Sequence, residues 1–395
     1  LLSAAYRDYL SGTQHANKDE SVIAQAPVFH WFLPTSGDGR NALDLAPSPL
    51  SAGRNPRGSV NYLAQVARAA DDLGFAGALT PVDTMCEEPW VLTAGLVRET
   101  RRLRFLVAMR PASMTPTLAA QMATTFQNMS DGRLALNVVT GGDPTEMHRF
   151  GDWTEHGARY DRTDEFLTIL RGIWSSDGFN FKGTYYDVED ARVHSLPEPI
   201  PEIYFGGASQ AAEEIAAKHV DVYLAWGEPP EMLAERVQRM RTLAERHSRE
   251  LRFGVRLQVI TRDTADEAWA ETERILDAIP DSIMRLAQRR LRKSESIGQQ
   301  RLNQLHRGDK RDLVISPNLW TGLSLIRGHG STALVGSHEE IAARIRELQE
   351  IGFEEFIFGG LPHLEEAYRF AQGVMPLFGD AHQLTQSPAL SASTA

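Results

Sequence analysis

The sequence predicts a closed (β/α)8 barrel. Three observations point there: strand-like apolar runs alternate with stretches at helical spacing, eight such runs occur, and no GxGxxG turn follows the first of them. Alternation on this scale predicts a parallel sheet with crossover helices. Eight units suit a barrel. A doubly wound open sheet is the second choice, weakened by the missing glycine fingerprint.

The elements follow in order. VFHWFL (28–33) reads as the first strand, with a helix near 58–73, and FAGALTP (75–81) as the second strand. WVLTAGLVRETRRL (90–103) is helical and RFLVAMR (104–110) a strand. A helix is predicted over 115–129, with Pro116 in its first turn, where a missing N–H costs nothing. RLALNVVTG (133–141) is continuous and β-branched, as a parallel strand buried on both faces should be. ARYDRTDEFLTILRGIW (158–174) has apolar residues at helical spacing. IYFGG (203–207) precedes the helix SQAAEEIAAKH, and VDVYLAWG (220–227) precedes EMLAERVQRMRTLAERH. RFGVRLQVITRD (252–263) is the seventh strand, with a helix near 265–278. FEEFIFGG (353–360) is the eighth, and HLEEAYRFAQGVMPLF the last helix.

The seventh strand poses a question. Phe253, Val255, Leu257 and Val259 share one face, while the other carries Gly254, Arg256 and Gln258. A buried charge without a role is too costly. Arg256 either pairs with an acid inside the barrel or offers its planar fork to a bound sulfonate, phosphate or carboxylate. With Gln258 on the same face, the ligand reading is favoured.

Three stretches interrupt the alternation. Residues 34–57 are rich in Pro, Gly and Ser, residues 179–195 read as an inserted hairpin, and residues 280–332 form a long basic and polar excursion. A structureless loop of that length is uncommon unless it is a lid or mobile segment. The expected organisation is a polar arm at 1–27, one barrel over 28–378 carrying these insertions, and a Ser/Ala-rich tail at 379–395.

Composition narrows the function classes. Of 395 residues, 42% are apolar and 24% charged, enough to bury a large core. The net charge of −11 argues against a nucleic-acid or anionic-membrane surface. No run of about 18 apolar residues occurs, so no membrane-spanning helix is expected. The first residues lack the order of a secretory signal. The single cysteine, Cys86, excludes internal disulfides and a cysteine zinc cage, so no metal is expected, and a reducing cytoplasm is the simplest compartment.

Barrels of this type place their active sites at the C-terminal ends of the strands. GGASQAA (206–212) there joins a strand to a helix N-terminus. Its free N–H groups and Ser209 suit a phosphate, or Ser209 is simply an N-cap. Cys86 is pocket lining or a small buried hydrophobe rather than a nucleophile. Trp226 and Trp31 either wall a ligand or pack in the core. His363 is part of a helix start or a site acid/base. Arg301 is exposed, or in a lid it closes over an anion.

FHWFLPTSGDGR, TMCEEPW, LRFLVAMRP, NVVTGGDP, YFGGASQAA, YLAWGEPPE, RFGVRLQVITRDT, SIGQQR, ISPNLWTG, TALVG and PHLEEAYR together resemble the bacterial luciferase-like flavin monooxygenases, most closely the reduced-FMN-dependent alkanesulfonate monooxygenases. The resemblance runs from about 28 to about 378 in the same order. It implies a TIM-type barrel that takes reduced FMN (FMNH2) from a separate NAD(P)H flavin reductase. With O2 it would cleave a carbon–sulfur bond of an organosulfonate, giving aldehyde and sulfite. It implies that Arg256, Arg301, His363 and Gln258 serve catalysis. Cys86, Asn137, Thr140, Tyr160, Gly206, Gly207, Ser209 and Trp226 would hold the flavin, and Trp31, Ser36 and Leu361 would line the substrate pocket. A homodimer or homotetramer is implied as well.

Three positions depart from the alkanesulfonate pattern. Gln258 stands where that group has His in RLHVI, Leu361 where it has Tyr in SGYPHLEEAYR, and Ser36 where it has His in LPTHGDG. Glutamine only hydrogen-bonds where histidine also titrates. The expectation is therefore organosulfonate cleavage. The alternatives are the same flavin chemistry on a sulfone, a sulfosugar or a non-sulfur compound, a flavin-binding barrel without turnover, or a deazaflavin-dependent dehydrogenase.

Overall fold

The computed structural model describes residues 26–45, 59–328 and 330–379. Most of the polar arm, the second half of the first insertion and nearly all of the tail lie outside the described residues.

The elements appear in the following order. Strand β1 (Val28–Phe32) leads to helix α1 (Val60–Leu73), β2 (Gly77–Thr80), α2 (Pro89–Leu96), β3 (Arg104–Met109), α3 (Pro116–Ser130) and β4 (Leu134–Val138). Helices α4 (Pro144–Arg149) and α5 (His156–Ser175) precede the hairpin β5 (Phe179–Lys182) and β6 (Asp187–Ala191). Then come β7 (Glu202–Gly206), α6 (Gln210–His219), β8 (Val222–Trp226), α7 (Pro230–Arg246), β9 (Arg252–Arg262) and α8 (Ala265–Asp277). The long excursion holds α9 (Asp281–Leu291), α10 (Ile297–Gln304), β10 (Val314–Ser316) and β11 (Leu319–Trp320). The chain returns through β12 (Ala333–Ser337), α11 (His338–Ile351), β13 (Glu355–Gly359) and α12 (His363–Gly373).

Strands β1, β2, β3, β4, β7, β8, β9 and β13 pair in parallel in that order, and β13 pairs back to β1, so the barrel is closed. Side chains alternate strictly. Phe32, Leu79, Leu106, Ala135, Tyr204, Val222, Leu224 and Ile357 fill the inside. Their neighbours Trp31, Phe105, Leu136, Phe205, Tyr223, Val255 and Phe358 face the surrounding helices. Phe253, Val255, Leu257 and Val259 lie in that outer layer, so Gly254, Arg256 and Gln258 point into the barrel. The second, non-apolar face of β9 is thus the barrel interior.

Strand β9 is longer than its neighbours. Residues 252–256 pair with β8, residues 254–258 with β13, and residues 258–262 with β12. Past the rim it therefore carries a small extra sheet of β12, β11 and β10.

The expected elements are present, with several differences. The helix predicted over 90–103 ends at Leu96, followed by a 3-10 turn over Val97–Glu99. The cause is Asp71, whose carboxylate accepts the N–H groups of Arg101, Arg102 and Leu103 at 2.8, 2.9 and 2.7 Å and pulls the chain out of the helix. The 280–332 excursion is no structureless loop, since it holds two helices and a hairpin. Helix α11 and strand β12 are additions to the expected pattern. The signal for α11 was in the sequence, because Ser337 and Glu340 form a capping box and Ile341, Ala342, Ile345 and Leu348 share the buried face. Among the described residues no helix is long and apolar enough to cross a membrane.

A buried polar layer closes the bottom of the barrel. Glu355 accepts from His30 Nε2 at 3.0 Å, the Tyr204 hydroxyl at 2.8 Å and Arg252 Nη1 at 2.7 Å. Arg252 and Arg104 both bond Glu202. These charges are matched within the layer, which leaves the opposite end as the chemical one.

Candidate active site at the barrel mouth

The C-terminal ends of the strands gather most of the expected residues. Arg256 sits inside the rim with its guanidinium carbon 4.3 Å from the centre of the Phe32 ring. Burial pulls its pKa down to about 9, and the like charge of Arg327 adds to this. Arg327 follows the 3-10 turn after β11 and interacts with Asp38 and Cys86 as well. Sequence reasoning missed Arg327, because only the fold brings the excursion back over β9.

Gln258 is 2% exposed, and its Oε1 has no hydrogen-bond partner among the described residues. His363 opens α12 and is 1% exposed; its Nε2 likewise has none. Its Nδ1 lies 3.0 Å from Asp38 Oδ1, and its backbone N–H donates to Asp38 Oδ2 at 2.8 Å. Gly359 lies beneath both groups: a Cβ there would stand 3.0 Å from Gln258 Oε1 and 3.2 Å from His363 Nε2.

Cys86 is half-buried on the loop after β2, and burial pushes its thiol up to about 11. That favours the thiol over the thiolate at neutral pH and argues against a nucleophilic role. Asn137, on the inner face of β4, and Thr140 just beyond are half-buried. Thr140 Oγ1 is 3.4 Å from Thr163 Oγ1 on α5. Ser209 caps α6 by accepting the Ala212 N–H at 3.2 Å, and Tyr160 interacts with Ser209. Gly207 allows this turn to close, since a Cβ would lie 2.4 Å from that of Ala212. Ser36 is half-buried in the turn after β1.

The excursion lies across this mouth. The Glu295 N–H donates to the Gly142 carbonyl at 3.1 Å, and Gly298 and Gly330 both lie against the Trp226 indole. Trp226 is therefore half-buried beneath it.

Three expected residues stand elsewhere. Trp31 does not wall the pocket. It is fully buried outside the barrel, its ring 5.1 Å from Phe75 and 6.4 Å from Phe370, because odd-numbered residues of β1 face the helices. It braces the site from behind, its Nε1 donating to the His363 carbonyl at 3.1 Å. Leu361 does not line the pocket either. It is 2% exposed and packs with Ile260, Trp320, Leu323 and Leu325 in a second core under the excursion. Arg301 is not open to an anion. Its Nε and Nη2 donate to Glu228 at 3.0 and 3.2 Å, and Arg236 bonds the same carboxylate at 2.7 Å. Its fork is spent on holding α10 to the loop after β8.

A second buried ion pair flanks the mouth. Arg110 donates to Glu146 at 2.5 Å, and Glu146 is 4% exposed. Burial raises the Glu146 carboxyl to about 7; the charge of Arg110 opposes this and that of Asp83 adds to it. An acid whose folded pKa lies above its unfolded value binds more protons when folded. The wild type should therefore lose stability relative to Glu146→Gln as pH rises from about 4.5 to about 7. Melting temperatures of both proteins across that range check this, and parallel curves would contradict it.

A family model described as luciferase-like monooxygenase matches residues 29–355. Solved structures resemble the whole fold. Riboflavin lyase (RcaE), solved with modified FMN and riboflavin, aligns at TM-score 0.75 and 18% identity over 94% of each chain. The long-chain alkane monooxygenase LadA aligns at TM-score 0.71 and 19% identity over 94% of each chain. EDTA monooxygenase (EmoA) from Chelativorans sp. BNC1 aligns at TM-score 0.68 and 18% identity, covering 94% of this chain and 97% of that one. At these identities the structural likeness establishes the fold.

Proposed function

The chain belongs to the luciferase-like monooxygenase family, and from that premise we propose that it is a reduced-FMN-dependent oxygenase that cleaves the C–S bond of an organosulfonate. A separate flavin reductase would supply the reduced FMN. The observation that carries the anionic substrate is the pair Arg256 and Arg327 inside the mouth. Two like charges in a buried site are relieved by an anion placed between them, and planar guanidinium groups suit the three oxygens of a sulfonate.

The residues present fit a flavin. The glycine turn 206–207, Ser209 and Tyr160 gather at the N-terminus of α6, where backbone N–H groups and the helix dipole favour a phosphate. Asn137 and Thr140 stand at the end of β4, and Trp226 at the end of β8 pairs in register with Arg256. Gln258 Oε1 and His363 Nε2 are buried polar atoms with no hydrogen-bond partner among the described residues, which a ligand atom would satisfy. Reduced FMN, when bound, supplies the two electrons that activate O2. One oxygen atom goes to the carbon that carried sulfur, which becomes the aldehyde, and the other leaves in water. The carbon loses one hydrogen as a proton, and sulfite departs with the bonding electron pair.

The protein's part is to hold the anion, orient the carbon and exclude water. Arg256 and Arg327 hold, Trp226 walls, and the excursion covers the mouth. Arg301 takes part through Glu228, by fixing α10 over the rim.

Sulfite release tests this reading. The protein with a flavin reductase, FMN, NADH and O2 should release sulfite from one chemical class within a panel of alkyl and hydroxylated sulfonates. Oxygen consumption with no sulfite from any of them would overturn desulfonation and leave sulfones or non-sulfur compounds as substrates. Gln258→His should shift kcat/KM toward simple alkanesulfonates by about tenfold, roughly the worth of one hydrogen bond. An unchanged preference would mean that position 258 does not set specificity. Leu361→Tyr is a poor companion variant, because it overpacks a filled core.

A further inference from the structure

Asp38 lies in the loop after β1 and is fully buried, yet nothing in the pattern SGDGR marks it as a site residue. Its Oδ1 accepts from the Gly39 N–H at 2.8 Å and lies 3.0 Å from His363 Nδ1. Its Oδ2 accepts from the Tyr62 hydroxyl at 2.6 Å and from the His363 N–H at 2.8 Å. Burial acts to raise its pKa, but the charge and hydrogen bond of His363 and the bond from Tyr62 outweigh it and hold the carboxyl below the ordinary range. A carboxylate surrounded by donors accepts from His363 Nδ1, which must then carry the proton.

We infer that Asp38 is a positioning residue: it fixes the His363 imidazole with Nδ1 protonated, so that Nε2 lies beside Gln258 Oε1 and accepts the proton that a molecule reacting there gives up. Gly359 brings the two atoms together by leaving out a Cβ that would crowd both. Trp31 holds the His363 carbonyl from behind, and Phe32 packs against the imidazole with ring centres 5.7 Å apart. The ring therefore has one orientation. Proton transfer to Nε2 makes an imidazolium whose charge Asp38 neutralises. The proposed reaction releases one proton from the substrate carbon, and Nε2 is the acceptor. The inference rests on the mouth being the reacting site, not on the substrate being a sulfonate.

The test begins with the protein alone. Nitrogen chemical shifts of 15N-histidine-labelled protein should show the neutral form of His363 with the proton on Nδ1 and none on Nε2. A neutral ring protonated on Nε2 overturns the assignment without any variant. In Asp38→Asn one amide end must face donors. Turned toward Nδ1, it donates there and forces the proton onto Nε2. The variant should show that altered signature and lose kcat by about 100-fold, the lower range for general base catalysis, with KM little changed. A folded Asp38→Asn with the wild-type tautomer and kcat overturns the proposal. Because Asp38 also caps α12, Tyr62→Phe is the structural control. It removes one donor to the same carboxylate and should lower stability without moving the tautomer. A tautomer shift in Tyr62→Phe equal to that in Asp38→Asn would contradict the specific role of the Nδ1 contact. Protein that shows the tautomer but releases no sulfite keeps this assignment and fails only the substrate reading.

Discussion

Arg256→Ala is expected to lower kcat/KM for the anionic substrate by about 100- to 1,000-fold while leaving the barrel folded. Truncating one partner of a buried charged contact costs roughly 2–5 kcal/mol, and each 1.4 kcal/mol is tenfold. The fold should tolerate the change. Arg256 projects into the mouth from the inner face of β9, while the outer face with Val255 and Leu257 holds the strand against the helices. Burial already disfavours its charge, so removing it relieves a cost even as the contact with the Phe32 ring is lost. Arg256→Lys keeps a charge without the planar fork and should fall between wild type and alanine. Steady-state kinetics with thermal melts of all three proteins decide the matter. Near-normal kcat/KM in the alanine variant would remove Arg256 from anion binding.

The second large effect is on stability. Glu355→Ala should destabilise the protein by about 3–5 kcal/mol, the usual cost of breaking a buried ion pair by removing one partner. Glu355 is 1% exposed and accepts from His30, Tyr204 and Arg252 on three other strands of the ring. Its loss takes one of two bonded carboxylates from Arg252, leaving Glu202, and strands two buried polar groups. Burial acts to raise the Glu355 pKa. The bond and charge of His30, then the charge of Arg252 and the bond of Tyr204, outweigh it and lower it. A depressed carboxylate stabilises the fold above its unfolded pKa of about 4.5, and that stabilisation fades as pH falls. The wild type should therefore be more acid-sensitive than Glu355→Gln, whose stability is lower at pH 7 but flatter toward acid. Urea unfolding at pH 7 and pH 4 measures both. Equal pH slopes would mean that Glu355 is not held ionised by His30 and Arg252 at the barrel floor.

The barrel was legible because its strands are short, apolar and evenly separated by helices, and local pattern determines both. Arg256 and Gln258 stood out because they break an apolar strand, and β9 indeed turns that face inward. What the sequence hid depends on distant pairing. Asp38 and His363 are 325 residues apart, and each looks like an ordinary loop or cap residue until the barrel closes. Arg327 and Glu228 gain their meaning only when the excursion folds back over the rim. Trp31 was misplaced because the parity of β1 decides which side a residue faces, and a strand apolar on both faces does not declare its parity. Leu361 was misplaced because a buried aliphatic residue beside a pocket and one beneath it read alike. Helix α11 was readable from its capping box and apolar spacing.

A single turnover shows whether Arg256 holds an organosulfonate for C–S cleavage. The protein would be mixed without oxygen with pre-reduced FMN and the best sulfonate, then exposed to O2 in the absence of any reductase. The wild type should give close to one sulfite and one aldehyde per reduced flavin, and Arg256→Ala almost none at equal flavin binding. Flavin oxidation with no sulfite, or equal sulfite from both proteins, would contradict this.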